Sequence, residues 1–233
     1  MPESSHGVPE LSFSFGEATA LENAAVPTIT APLHVTNATE QQPVQSLLLN
    51  CQMQIEPLGR TYSGAEEARL LDMFGGRGRW GRTMKPMLWT NQVLKIGSFE
   101  AEITTNLLLP CSLDFDVATT KYFYGLEAGT IHVTTLFSGT IFYTSAGSLR
   151  VAQIPWDREA RLELPVDVWR KAVDAHYPDG VWLRLPNVTF DRLYTFKNAR
   201  GIASWDGVID RLVNRIEHLD TKEPLGTAEG ATL

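Results

Sequence analysis

The chain has 233 residues, with 20 Lys plus Arg against 27 Asp plus Glu and a net charge of -7. Hydrophobic residues at 43% and charged residues at 20% supply enough apolar material for a sizeable core and exclude a wholly disordered or collagen-like chain. So acidic a composition makes a poor general binder of nucleic acid or anionic membrane, although a local basic patch can still form.

The first nine residues, with Pro2 and Pro9, carry neither a basic stretch nor an apolar one. They read as a flexible N-terminus rather than a signal peptide. Leu11–Phe15 alternates apolar and polar residues, the mark of a half-buried strand. Thr30 to Thr36 is a second strand, in which Pro32 suggests an edge or a bulge. Val44 to Glu56 is longer. Leu47, Leu49, Cys51, Met53 and Ile55 share one face, and the other face is polar, as suits an antiparallel sheet.

One helix then interrupts the strands. Ser63 and Glu66 stand at capping-box spacing, Leu70 and Phe74 share a face, and Gly75 supplies the stop. Extended-looking chain follows around Pro86 and Trp89. Phe99–Leu109, Thr130–Ser145 and Leu149–Ile154 read as further strands, and Ser138-Gly139 suggests a bulge, or a bend that lets one strand serve two sheets. Thr144–Ser148 reads as a hairpin loop, with Gly147 able to take positive φ.

After Pro155 the texture turns helical. Pro165 opens a helix carrying Trp169, Ala172, Val173 and His176, and Pro178 ends it. Val181–Leu185 is a candidate short strand. Asn187 caps a helix through Phe190, Leu193 and Phe196 that stops at Gly201. Trp205, Val208, Ile209, Leu212, Val213, Ile216 and Leu219 form one stripe of a last helix.

These readings predict a mainly β (α+β) fold: an antiparallel β-sandwich over residues 10–155 with one inserted helix. A helical appendage over 156–219 packs on the sandwich, with Trp156, Trp169, Trp182 and Trp205 as staples. A disordered tail over 220–233 follows. No run of apolar residues is long enough to span a membrane, so a cytoplasmic location is expected. Asn37 and Asn187 begin glycosylation sequons that mean nothing without secretion.

No catalytic constellation stands out. Cys51 and Cys111 are too few for a disulfide framework or a thiolate-held metal, and as lone residues they read as buried, reduced thiols. The five histidines never reach metal-ligand spacing, so no metal and no cofactor is expected. Asp114 and Asp116 would share one face of a strand, where paired carboxylates serve acid–base chemistry or simply face water.

Gly76–Gly81 satisfies G-x-G-x-x-G, but it follows a helix instead of a strand, which is the wrong context for a dinucleotide. The same segment concentrates Arg77, Arg79, Arg82 and Lys85 around Trp80 on an acidic chain. Arginine and tryptophan together dominate interface energetics, which makes these five the candidate partner-binding residues. The bland alternative is a solvated loop with Trp80 folded back on the sandwich.

Leu49–Pro57, Met73-Phe74-Gly75, Arg79-Trp80, Leu88-Trp89-Thr90, Leu109-Pro110-Cys111, Leu136–Thr140, Ile154-Pro155-Trp156 and Arg184-Leu185 together resemble an uncharacterised bacterial family over about residues 10–215. Genes of that family often neighbour those of nickel–iron hydrogenases and their maturation factors. The resemblance implies an accessory or partner protein in hydrogenase assembly or function and supplies no catalytic residues. The resulting expectation is a non-catalytic, partner-binding protein. Two alternatives stay open: a small-ligand protein or enzyme with a pocket between sandwich and helices, using Asp114, Asp116 or Cys111, and an anion or nucleic-acid binder working through the arginine-rich loop.

Overall fold

The computed structural model describes residues 7–39, 42–114, 117–178 and 183–220. The chain divides into two compact units, Met1–Trp182 and Leu183–Leu233.

In the first unit, alternation along the strands decides which face is buried. The long strand β4 runs Val44–Ile55, and Leu47, Leu49, Cys51, Met53 and Ile55 are all fully buried. It is preceded by β1 (Leu11–Phe15), β2 (Thr19–Ala20) and β3 (Thr28–Asn37), and followed by β5 (Met87–Ile96), β6 (Glu102–Pro110), β7 (Thr130–Ser145), β8 (Ser148–Gln153) and β9 (Glu159–Pro165). Every pairing is antiparallel. One sheet gathers β1, β2 and β6 on β3; the other gathers β5, β4, β7, β8 and β9. The inner faces share one apolar core, in which Phe13 of the first sheet stacks on Phe137 of the second with ring centroids 4.1 Å apart. This is the expected β-sandwich.

Three details correct the sequence-based expectation. Pro32 does not mark an edge, because β3 is flanked on both sides. β1 ends at Phe15 and β2 begins at Thr19, so Pro32, which has no N–H to donate, stands opposite the break. Its carbonyl accepts from the Gly16 N–H at 2.8 Å. Gly139 does not carry β7 into a second sheet. β7 pairs with β4 along its length, and only its other neighbour changes, from β9 to β8. Gly139 has φ 145, and a Cβ there would lie 2.0 Å from the Leu48 carbonyl oxygen. Strand character also continues past Pro155: in β9, Ala160, Leu162 and Leu164 point into the core.

Between β4 and β5 stand α1 (Gly64–Arg69), α2 (Leu71–Phe74), a 3-10 turn (Arg77–Arg79) and α3 (Trp80–Thr83). The single inserted helix of the sequence reading is thus broken at Leu70, although its capping box at Ser63 and Glu66 is present. A further helix, α4 (Ala118–Gly125), precedes β7, and α5 (Val166–Asp174) follows β9. Rings from these elements interlock under the inserted layer. Tyr122 meets Phe74 at 6.1 Å, while Phe123 meets Trp89 at 5.3 Å and Trp169 at 5.5 Å.

The second unit contains α6 (Asn187–Ala199) and α7 (Trp205–Asp220). Trp205 packs within this pair, 5.2 Å from Phe190 and 6.4 Å from Tyr194. Val208 is buried, whereas Ile209, Val213, Ile216 and Leu219 are exposed. Of the other tryptophans expected as staples, Trp169 is buried in the first unit and Trp156 stands 92% exposed. The candidate strand at Val181–Leu185 lies partly outside the described residues; Trp182, Asp116, residues 1–6 of the N-terminus expected to be flexible, and the expected tail beyond residue 220 lie wholly outside them.

Candidate partner-binding surface

The Gly75–Lys85 segment is built of two short helical turns rather than mobile loop. Gly75, at φ 69, ends α2. The Trp80 indole N–H donates to the Gly75 carbonyl at 2.9 Å, and the Trp80 ring meets Tyr62 edge-on at 5.3 Å. The Thr83 hydroxyl donates to the Phe74 carbonyl at 2.7 Å. Met84 closes the segment as a buried core residue. Backbone that glycine leaves free is therefore pinned by an aromatic ring and two side-chain donors.

This packing separates the five residues singled out in the sequence. Trp80 is half-buried against the core. Arg77 pairs with Glu67 and lies over the Trp80 ring, 5.6 Å from its centroid. Arg79, Arg82 and Lys85 are exposed, and among the described residues no carboxylate lies within ion-pair distance of them. Carboxylates of the inserted layer are engaged elsewhere: Glu67 by Arg77, Asp72 by Lys121 of α4, and Glu127 by Arg69. The hydrogen bond from Lys121 holds the Asp72 carboxyl below the usual carboxylate range.

Lys121, Leu71 and Tyr124 belong to the same surface and were not among the residues picked from the sequence. Leu71 is 57% and Tyr124 50% exposed, beside the Asp72–Lys121 pair. The run Tyr122-Phe123-Tyr124 carries the signal, since a helix must turn one of three adjacent aromatics outward.

The residues weighed for chemistry are scattered. Cys51 and Cys111 are buried, and burial pushes both thiols up to about 12, which makes them poor nucleophiles at neutral pH. Asp114 lies beyond the end of β6, not on a strand; its backbone N–H donates to the Ser112 hydroxyl at 3.2 Å. His34 bonds Thr104 in the first sheet and His132 pairs with Glu163 in the second, while His176 sits between the carbonyls of Ala172 and Ala24. Among the described residues no three of His, Cys, Asp and Glu cluster to hold a metal, and no helix is long and apolar enough to cross a membrane. The Asn37 side chain is buried, and its two amide N–H groups are shared among the carbonyls of Thr39, Gln42 and Glu100, all within 3.1 Å of the nitrogen.

The model of DUF6084, a family of unknown function, matches residues 8–221. The chain belongs to this family. No curated protein matches it. Among solved structures, the CARDB domain of a Pyrococcus furiosus protein, solved in complex with di-metal ions, is 9% identical with a TM-score of 0.27; the match covers 67% of this chain and 86% of that one. A β-glucosidase from Kluyveromyces marxianus is 13% identical with a TM-score of 0.27, over 67% of this chain and 15% of the enzyme. A β-glucosidase involved in saponin metabolism from intestinal bacteria is 16% identical with a TM-score of 0.26, over 64% of this chain and 16% of the enzyme.

Proposed function

We propose that this DUF6084 protein is a non-catalytic accessory protein that binds a protein partner through Arg79, Arg82 and Lys85. One observation carries this reading. Three cations on and just after the packed turns, Arg79, Arg82 and Lys85, have no carboxylate at ion-pair distance among the described residues of a chain whose net charge is -7. An acidic body would ordinarily neutralise its own exposed cations; here the carboxylates of α1 and α2, namely Glu66, Glu67 and Asp72, are committed to Arg60, Arg77 and Lys121. Such a patch attracts an acidic surface at long range and sets orientation on contact. The resemblance noted from the sequence supports a nickel–iron hydrogenase or one of its maturation factors as the partner.

The test is binding of the purified protein to a purified nickel–iron hydrogenase and to its maturation factors from the same source, at low and high salt. Replacing Arg79, Arg82 and Lys85 by Ala leaves the thermal midpoint unchanged, because exposed charges contribute little stability. It weakens binding at low salt, and the difference shrinks as salt rises. Unchanged low-salt binding by the folded variant sinks the reading. Binding of an oligonucleotide in place of the protein favours the nucleic-acid alternative.

A further inference from the structure

Two hollows flank the Asp72–Lys121 ion pair on the inserted helical layer. One, of about 610 Å³, opens between α1–α2 and α4 and is lined by Ala68, Leu71, Tyr124 and Gly125. The other, of about 400 Å³, is lined by Met73, Phe74, Pro86, Met87 and Ala118, with Lys85 on its wall. Asp72 and Lys121 belong to both, so one ion pair forms the saddle between two mostly apolar depressions.

Close packing borders the first hollow at Gly125. Gly125 meets Leu70 where α1 breaks from α2, and a Cβ on Gly125 would stand 2.6 Å from the Leu70 side chain. Leu70 is buried, so the next residue, Leu71, is turned outward at 57% exposure, facing the region of Tyr124 at 50%. Isolated exposed apolar residues are ordinary; two of them lining a hollow beside a second apolar hollow make a binding feature.

We infer that this saddle receives an acidic peptide segment of a partner protein, with one apolar side chain in each hollow and carboxylates facing Lys85, Arg82 and Arg79. The inference rests on the proposed partner-binding role and deepens it by naming what the partner presents. Charge decides the occupant. Along this layer Arg69, Arg77 and Lys121 are paired internally, whereas Lys85 on the wall of the second hollow, and Arg82 and Arg79 just before it in the chain, have no carboxylate at ion-pair distance among the described residues. A purely apolar segment would leave them unanswered, and a basic one would be repelled. Apolar anchors in pockets with complementary charge at the rim are the usual division of labour in peptide recognition.

The test uses the full ¹⁵N-labelled chain. It is titrated with a synthetic peptide of alternating glutamate and leucine pairs, with the same peptide carrying lysine for glutamate, and with vesicles containing phosphatidylglycerol. The acidic peptide shifts the amides of Leu71, Asp72, Lys121 and Tyr124, and the lysine peptide does not. Leu71→Asp, at an exposed position, keeps the fold and weakens the acidic peptide at least tenfold; Tyr124→Glu does the same from the other wall. Absence of these shifts at millimolar acidic peptide, equal shifts from the lysine peptide, or shifts from vesicles alone overturn the inference. Its failure is distinguishable from failure of the proposed function. Hydrogenase binding that needs Arg79, Arg82 and Lys85 without any response in the hollows overturns the saddle alone. Peptide shifts in the hollows, with hydrogenase binding indifferent to the three cations, support the saddle and sink the proposed role.

Discussion

The Arg60 guanidinium donates to the Glu66 carboxylate at 2.9 Å, with side chains only 7% and 4% exposed. Glu66 also accepts from the backbone N–H groups of Ser63 and Glu127, at 2.9 and 2.8 Å. Arg60 also donates to the Ala128 carbonyl. One buried pair thus knots the start of α1 to the segment between α4 and β7. Burial pushes the Glu66 carboxyl up, but N–H donation from Glu127 and Ser63, then Arg60 itself, outweighs it and holds the group below its ordinary value of 4.5. A carboxyl lowered by folding stabilises the fold fully above its unfolded value, and that contribution is lost as pH falls through the folded value. Glu66→Gln should therefore cost of order 3–5 kcal/mol at neutral pH by stranding Arg60. Thermal midpoints of wild type and variant should converge below pH 4.5. A gap that persists into strong acid would show that the carboxylate charge is not what matters.

Tyr62 and Tyr122 make a two-step relay in the same knot. The Tyr62 hydroxyl donates to the Pro57 carbonyl at 2.6 Å, which leaves the Tyr122 hydroxyl, 2.9 Å away, to donate to Tyr62. Burial raises both phenols. Tyr62→Phe strands an acceptor and a buried hydroxyl and should cost about 2–3 kcal/mol, whereas Tyr122→Phe removes only the terminal donor and should cost about 1 kcal/mol. Chemical denaturation of both variants reads the order, and the reverse order would mean the hydroxyls donate the other way round.

How much of this was legible in the sequence follows from the range of each interaction. The alternation in β4 and the capping box at Ser63 are local patterns, and both are present as read. β9 escapes the sequence reading, and β5 shows there only as extended-looking chain, because their neighbours disguise them. β5 follows Pro86, and its inner face is only half-buried; Glu159–Pro165 carries charges at alternate positions directly before a helix. α4 escaped because threonines and aromatics fill it, residue types that favour strands and become helical here through packing of Tyr122 and Phe123. At the candidate surface, the concentration of arginine is written in the chain. That Glu67 claims Arg77, while Arg79 and Arg82 go unclaimed, depends on how α1 meets the 3-10 turn, which no local spacing encodes.

The cysteines supply a chemical prediction. Both are buried, and both thiols are pushed up to about 12 by desolvation. The thiolate is the reactive form, so at neutral pH neither should react with iodoacetamide while the chain is folded. In denaturant without reductant, two thiols should label. Rapid labelling of either one under native conditions would mean that its strand opens readily to solvent.

Gly139 and Ala146, both on the β7 side of the second sheet, should respond in opposite directions to a change of one side chain. At Gly139, φ is 145 and a Cβ would press to 2.0 Å on the Leu48 carbonyl oxygen, which belongs to the neighbouring strand and cannot swing aside. Gly139→Ala should therefore destabilise by about 3 kcal/mol, through overpacking and an unfavourable backbone together. Ala146 is the first central residue of the two-residue turn joining β7 to β8, at φ 51, with Gly147 following at φ 73. Two positive φ values in a two-residue hairpin are the type I′ geometry, for which Asn-Gly is the preferred pair. Alanine held left-handed costs about 1 kcal/mol that asparagine largely avoids. Ala146→Asn should raise the thermal midpoint by about 2–4 °C. Scanning calorimetry on both variants decides the point: a neutral Gly139→Ala would mean β7 and β4 part readily to admit a methyl group, and a lowered midpoint in Ala146→Asn would mean the turn is not type I′.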